Sequence, residues 1–391
     1  MKFLTNILRQ LVLGPAYFAN LVLIKKSKHW SKKNILDYKS DNKELKSYNT
    51  KVDITNNSEE FLKRSPLLPL RKVRTGGTTG EPFVFYQDIF SARQKERAYL
   101  FDIWGRIGYK KFDYRIVVRG NMPSNDKKYS FLENALVISQ NFFVEENKEE
   151  LEALFRKKSF FLHVYPSTLF FLIDFWGIDT FKTFPINGVF AGSETFPISQ
   201  MNWFKQNYNI QIAHWYGHSE YAILARFCNT CSEFHFYPTY GRVALFKEKQ
   251  TDLILANSFN TYGTIFKDYF TGDYAEKSTQ LCAVDNFFKL KSITGRIQEF
   301  IYDKELNKRA FGPYLFGIHN EFWDFIVSIQ FIQKEKGKLE VKFIKSDGFN
   351  ETKFLEIITE RFKLFELEFH DVNRIDKTKN GKHKSLIQLV K

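Results

Sequence analysis

Three sets of residues in this chain have the types and spacing to do chemistry. The first is Thr75–Pro82, TGGTTGEP, between the basic run RKVR and the strand-like Phe83–Tyr86. Gly76, Gly77 and Gly80 let a backbone come close to an anion and turn its N–H groups toward it. Thr75, Thr78 and Thr79 add hydroxyls suited to phosphate oxygens. No Lys-Ser/Thr follows the last glycine, so this is not a Walker loop; taken alone, it reads equally well as a surface turn. The second set is Cys228-Asn-Thr-Cys231, His235 and Cys282, which uses every cysteine of the chain. Thiolates and imidazole at C-x2-C spacing suit a structural, tetrahedral zinc ion, and the competing reading is three free cysteines used as small buried hydrophobes. The third set is a series of short polar motifs: Gly192-Ser193-Glu194 after an apolar run, Tyr216-Gly217-His218-Ser219-Glu220, Thr271-Gly272-Asp273, Gly295-Arg296 and Asn380-Gly381-Lys382. Each alone is an ordinary turn, a core aromatic beside a surface acid, or a solvated basic tail.

The elements that must hold these residues follow from hydrophobic patterning. Between about residue 61 and residue 290, short apolar runs such as Arg115–Val118 and Leu253–Ala256 alternate with helical patterns, which predicts a mixed α/β domain. Near the C-terminus, Ile326–Phe331 and Leu339–Ile344 flank a Lys-Glu-Lys-Gly turn. Phe354, Ile357, Ile358 and Phe362 mark a helix face, and Leu367–Val372 reads as a further strand. This is the pattern of a small, separate α+β domain. Residues 49–60, NTKVDITNNSEE, are polar and turn-rich and read as a linker. The expected division is a basic N-terminal segment and linker over 1–60, a large domain over 61–296 and a small domain over 297–391.

A chain of 391 residues with 43% apolar residues, 43 Phe and 19 Tyr buries a large aromatic core and is not disordered. Its net charge of +14 comes from 58 Lys and Arg against 44 Asp and Glu, clustered locally at Lys25–Lys33 and Lys377–Lys384. No helix-turn-helix, RRM, KH or finger signature accompanies that charge, so nucleic acid is not expected as a partner. Three cysteines do not form a disulfide framework and fit a reducing cytoplasm. Residues 3–24 look hydrophobic, but Arg9, Gln10, Asn20 and the Gly14-Pro15 break argue against a spanning helix, which needs ~20 uninterrupted apolar residues. Leu4, Ile7, Leu8 and Leu11 share one helical face, which either docks on the protein's own body or lies on the inner face of a membrane beside the lysines that follow.

Taken in order, the motifs resemble those of the adenylate-forming (ANL) ligases, particularly the phenylacetate–coenzyme A ligase-like branch and its capsule-biosynthesis, CapK-like relatives, over about residues 70 to 391. The resemblance implies a two-domain α/β fold, with a large N-terminal domain and a small mobile α+β C-terminal domain. It implies use of ATP and Mg²⁺ to turn a small-molecule carboxylic acid into its acyl-adenylate. In that reading Thr75–Gly80 cradles phosphates, with Thr79 among the catalytic residues, and the backbone of Gly192, Ser193 and Glu194 borders adenine. The Tyr216 ring lies against adenine, with Gly217, His218 and Ser219 completing its loop, and Glu220 holds Mg²⁺. Asp273 accepts from the ribose hydroxyls, and Arg296 contacts the nucleotide at the hinge. Lys382 enters to bridge the carboxylate and the α-phosphate. Cysteine-containing insertions after the Y-G-x-S-E motif also occur in relatives of this branch.

The chain departs from the pattern in two places. After Arg296 it carries Gln298 where the family has an acid or lysine, and the glycine of the following turn is missing, which puts coenzyme A thioester formation in doubt. The family's basic run before T-G-D appears as IFKDYFTGD, with Lys267 its only cation, so phosphate contacts could fall to Arg71, Lys72 or Arg74. The acyl acceptor is left open among a thiol, an amine and a sugar hydroxyl, the last suggested by the surface-polysaccharide connection. The alternatives are a full acyl-CoA ligase and a degenerate nucleotide-binding module without turnover. Acid-pocket candidates lie around His163–Ser167, Phe190–Ala191 and His214–Trp215, residues that could equally be core.

Overall fold

The computed structural model describes residues 13–33, 48–74, 83–119, 127–248, 251–259, 262–294, 300–306, 308–311, 325–375 and 384–390. Two compact units interleave along the chain: Met1–Phe112 with Ala213–Arg296, and Asp113–Ile212 with Ile297–Lys391. The linear division read from the sequence shares with them only the junction between residues 296 and 297.

The first unit opens with α1 (Pro15–Lys33), whose first residue is a proline with φ already set for a helix. Tyr17, Asn20, Ile24 and Ser27 form its buried face. Residues 49–60, expected to be a linker, are instead built into the unit. Asn49 N–H donates to the Asp268 carbonyl (2.9 Å) and its carbonyl accepts from the Phe270 N–H (2.8 Å), the two bonds of a β-bridge. Helix α2 (Lys51–Asn56) is closed by a Thr50/Asp53 capping box and buries Ile54. Strands β1 (Leu62–Lys63), β2 (Leu70–Arg74) and β3 (Val84–Asp88) follow. Helix α3 (Ser91–Gly105) starts where the buried Asp88 carboxylate accepts the Phe90 N–H (3.1 Å), the Ser91 N–H and the Ser91 hydroxyl (2.7 Å).

The second unit begins with β4 (Arg115–Arg119), β5 (Lys127–Ser130), β6 (Ala135–Ser139), α4 (Lys148–Arg156), β7 (Phe160–Val164), α5 (Pro166–Trp176), α6 (Ile178–Lys182), β8 (Ile186–Gly192) and α7 (Ile198–Tyr208). Strands β8, β7, β4 and β6 are successive parallel neighbours, and β5 is an antiparallel edge. Ile116, Val118, Ile138, Leu162, Val189 and Phe190 are almost wholly buried. That is why these strands read as continuous apolar runs rather than alternating ones.

Back in the first unit, β9 (Ile212–Gly217), β10 (Leu224–Cys228), β11 (Glu233–Phe236), β12 (Gly241–Glu248), β13 (Thr251–Ser258), β14 (Gly263–Thr264), β15 (Tyr269–Lys277) and β16 (Lys289–Thr294) build two antiparallel sheets. One has the order β12-β13-β15-β16-β11-β10-β9, the other β1-β14-β3-β2. Their shared core includes Ile54, Phe83, Phe85, Ala225, Phe236, Ile254 and Tyr269. Gly241 has a steric reason to be glycine: a Cβ there would sit 1.9 Å from the Ala222 carbonyl oxygen and 2.8 Å from that of Asn257.

The chain ends in the second unit with β17 (Phe300–Tyr302), β18 (Lys308–Ala310), β19 (Ile326–Gln333), β20 (Lys338–Lys345), α8 (Glu351–Arg361), β21 (Glu366–Asp371) and β22 (Leu386–Gln388). The sheet order is β21-β20-β19-β22. Phe331, Val341, Phe354, Ile358, Phe362 and Leu386 form a core drawn entirely from residues 301–386. Among the described residues, no helix is long and apolar enough to cross a membrane.

Candidate functional site

The strongest convergence lies in the first unit, where β9 and β15 bring two of the motifs together. The Tyr216 hydroxyl donates to Asp273 Oδ2 at 2.6 Å, although the residues are 57 apart in sequence. Burial, and after it the Asp273 charge, raise the Tyr216 pKa well above its ordinary value, so the phenol stays protonated and donating. Asp273 is aimed by its own turn. Gly272 takes a φ of +86°, the Asp273 N–H donates to Thr271 Oγ1 (3.3 Å), and that hydroxyl donates to the Ile254 carbonyl (3.1 Å).

Glu220 follows on the loop between β9 and β10. Its carboxylate is 6% exposed, accepts the Tyr269 hydroxyl at 3.2 Å, and lies 3.3 Å from His218 Nδ1 and 3.9 Å from Lys51 Nζ. Burial pushes its pKa up, but the close contact and charge of His218, with the Lys51 charge, outweigh it and hold the group at about 2. An ionised, buried oxygen donor is what a hard divalent cation takes as a ligand. The loop is itself tethered: Gln87 Nε2 donates to the Ser219 carbonyl (2.7 Å), and Arg71 Nη2 donates to Gln87 Oε1 (2.9 Å). Tyr221 turns the chain with a φ of +54°.

A second convergence sits on β10, β11 and the connection from β15 to β16. Candidate ligand atoms of Cys228, Cys231, His235 and Cys282 all lie within 4.8 Å of one another, three of the residues buried and Cys231 half-buried. His235 Nδ1 is 2.7 Å from Asp285 Oδ1 and its Nε2 is 3.0 Å from Cys231 Sγ. With Nδ1–H donating to the Asp285 carboxylate, the Nε2 lone pair faces the thiols, the second-shell arrangement of metal-bound imidazoles. Arg226 pairs with Asp285 and completes the buried support. Burial raises a thiol's pKa, yet at Cys228 the hydrogen bond from His235 and the backbone N–H groups of Cys231 and Thr230 win and pull it well below its usual value. Burial and the adjoining sulfurs push Cys231 the other way. A dication at this position would stabilise both thiolates. Three thiolates and one imidazole therefore fit tetrahedral zinc.

In the second unit, Arg119 is in register with Ser139 at the carboxyl ends of β4 and β6, and Val164 with Ala191 near those of β7 and β8, with Tyr165 and Gly192 next along the chain; this is the edge at which parallel α/β sheets bind ligands. Ser193 adopts a φ of +68° immediately after β8. The Tyr165 phenol is raised by burial and lies within the fields of Arg119 and Glu194. His163, half-buried and near Arg115 and Arg119, is held well below its usual pKa by desolvation and then by those charges, and is neutral. Two of the acid-pocket candidates are core: Phe190 stacks on Phe161 at 5.2 Å and Ala191 is fully buried. His214, 3% exposed, packs between Phe227 and Phe234.

Thr75–Gly80, Arg296 and Lys382 lie outside the described residues. Lys51, Gln87, Tyr269, Arg226, Asp285 and Arg119 were not picked out as site residues from the sequence, although Asp285, three residues after Cys282, carries a metal-site signal.

A family model for the CapK C-terminal domain matches residues 314–388. Among solved structures, a 2-hydroxyisobutyryl-CoA ligase in its postadenylation state, in complex with R3-HIB-AMP, aligns with a TM-score of 0.62 over 96% of this chain and 88% of that one, at 11% identity. The anthranilate CoA ligase AuaEII in complex with anthranoyl-AMP aligns with a TM-score of 0.50 over 80% of this chain and 65% of that one, at 13% identity. No curated protein sequence matches the chain. At these identities the likeness is one of fold.

Proposed function

This chain has the adenylate-forming fold and carries a CapK-type C-terminal domain, and from that premise we propose that it activates a carboxylic acid with ATP, releasing pyrophosphate and forming the acyl-adenylate. The observation that carries the reading is the Tyr216–Asp273 pair beside an ionised Glu220, three polar groups from two separate motifs gathered in one unit. Asp273 offers an ionised acceptor for ribose hydroxyls, Tyr216 a ring for adenine, and Glu220 an oxygen ligand for Mg²⁺. Bound there, Mg²⁺ supplies charge neutralisation for the departing pyrophosphate. Gly192, Ser193 and Glu194 are assigned to the adenine edge, and Thr75–Gly80, Arg296 and Lys382 to the phosphates and the incoming acid.

The chemistry needs no protein nucleophile. A carboxylate oxygen of the substrate, ionised at neutral pH, attacks the α-phosphorus; the bond from that phosphorus to the bridging oxygen breaks, and pyrophosphate leaves with the electron pair. No proton has to move. Catalysis then rests on positioning and on cationic stabilisation of the phosphate oxygens, a role assigned to Lys382 by the motif it belongs to. The acyl group next passes to a thiol, an amine or a sugar hydroxyl. Gln298 and the missing hinge glycine favour the last two, and a surface-polysaccharide precursor is the acceptor that the CapK-like resemblance suggests. Cys228, Cys231, His235 and Cys282 are assigned to one structural zinc ion.

The test is Mg²⁺- and ATP-dependent pyrophosphate release across aryl, fatty and amino acids, with Lys382→Ala and Asp273→Asn in parallel. Acid-dependent release lost in both variants supports the reading, and thioester formation on adding coenzyme A would assign the chain to the full ligases. ATP binding with no release for any acid would leave a nucleotide-binding module.

A further inference from the structure

Helix α1 has two opposite faces of different character. At about 100° per residue, Tyr17, Asn20, Ile24 and Ser27 fall on one side, and all four are buried. Phe18, Val22, Lys25 and Lys26 fall on the other and are exposed, with Phe18 at 49% and Val22 at 51%. The 19 residues of α1, PAYFANLVLIKKSKHWSKK, include no acid. The turn after α3 adds Lys110 and Lys111, both exposed. Lys111 Nζ lies 4.9 Å from the Tyr17 ring centroid and 6.0 Å from that of Phe18, so this cation is fixed beside the apolar stripe. Partial burial and then the nearby Lys25 charge disfavour the Lys111 ammonium. Like charges are thus held together next to two exposed hydrophobes.

We propose that the outward face of α1, with the Lys110-Lys111 turn, docks the protein on an anionic lipid bilayer. The mixture of side chains selects that partner. Phe18 and Val22 are suited to the boundary between headgroups and acyl chains, while Lys25, Lys26 and Lys111 meet anionic headgroups above it. A polyanion such as RNA would use the lysines and gain little from Val22. The inference does not depend on the acid-activation reading, because its readout is binding rather than turnover.

The experiment is co-sedimentation of the full chain with vesicles of phosphatidylcholine alone, or with about one-third phosphatidylglycerol added, in about 0.1 M salt. The intact protein sediments with the anionic vesicles and not with the neutral ones. The double variant Lys25→Glu/Lys26→Glu weakens partitioning about tenfold or more. Phe18→Ser/Val22→Ser weakens it about tenfold, whereas Lys128→Glu, a charge reversal on β5, stays within about twofold. Circular dichroism melts and pyrophosphate release of all variants remain those of the parent. No sedimentation of the intact protein overturns the proposal. So does an equal loss from Lys128→Glu, or binding to soluble heparin that competes fully and ignores Phe18→Ser/Val22→Ser.

Discussion

Replacing Glu220 with Gln should change how the stability of the chain depends on pH, by an amount the local geometry sets. In the folded protein the carboxyl is held at about 2 against an ordinary 4.5. Burial works against ionisation, but the contact and charge of His218 and the charge of Lys51 overcome it. At ~1.4 kcal/mol per tenfold change in proton affinity, the difference corresponds to about 3 kcal/mol. The folded pKa lies below the unfolded one, so this stabilisation is complete above about pH 5 and is lost as the pH falls toward about 2. The variant cannot titrate at this position. Urea unfolding of both proteins from neutral pH to about pH 3 should therefore give a difference in unfolding free energy that is level above about pH 5. Below that it should move by roughly 2–3 kcal/mol against the parent. Subtracting the variant removes the other carboxylates that titrate in the same range. A difference that stays level down to about pH 3 would mean that folding does not favour the ionised form of Glu220, and the magnesium assignment would lose its physical basis.

Two substitutions test the neighbouring geometry. Asp273→Asn removes the ionised acceptor and loosens the 2.6 Å bond from Tyr216; at about 1.5–3 kcal/mol for a hydrogen bond to a charged group, kcat/KM for ATP should fall roughly 10- to 100-fold, read by pyrophosphate release, and an unchanged value would remove Asp273 from the nucleotide site. Gly241→Ala forces a methyl group to 1.9 Å from the Ala222 carbonyl; a backbone shift in packed sheet should lower unfolding free energy by about 3 kcal/mol or more, measured by urea titration, and a loss under about 1 kcal/mol would mean the strands separate freely there.

What the sequence made legible depended on range. The parallel strands β4 and β8 were visible because burial on both faces turns them into apolar runs. The pair β19 and β20 was visible because Gly337, at φ +84°, ends the turn between them. Residues 49–60 were misread because a short polar helix has no apolar period. Their only inward hydrophobe in α2 is Ile54, and the signal lay in the spacing of Thr50 and Asp53. Motif order pointed to Tyr216, Glu220 and Asp273 individually. It did not give their partners, since Lys51 and Tyr269 reach Glu220 from positions 169 and 49 residues away. Such pairings arise from sheet topology, which local pattern does not encode.

That topology also ties the cysteine cluster to the nucleotide residues. Going from β9 to β15, the sheet passes through β10, β11 and β16. With neighbouring strands ~4.8 Å apart, a flat sheet would place the first and last of these about 19 Å apart, beyond the combined reach of a tyrosine and an aspartate side chain. The 2.6 Å bond between Tyr216 and Asp273 therefore requires the sheet to curl strongly. The four metal-ligand candidates lie within that curl. Cys228, Cys231 and His235 belong to the β10–β11 hairpin, and Cys282 belongs to the connection between β15 and β16. One zinc ion held by all four would fasten the hairpin to that connection and so fix the curvature on which the Tyr216–Asp273 contact depends. Elemental analysis of the purified protein should find one zinc per chain, and Asp285→Asn, which frees the His235 ring, should weaken its affinity about 10- to 100-fold. Stripping the zinc with Mg²⁺ kept in excess should raise the Kd for ATP, and adding zinc back should restore it. An ATP affinity that survives complete zinc removal would show that the core around Ile254, Phe236 and Tyr269 holds the curl unaided.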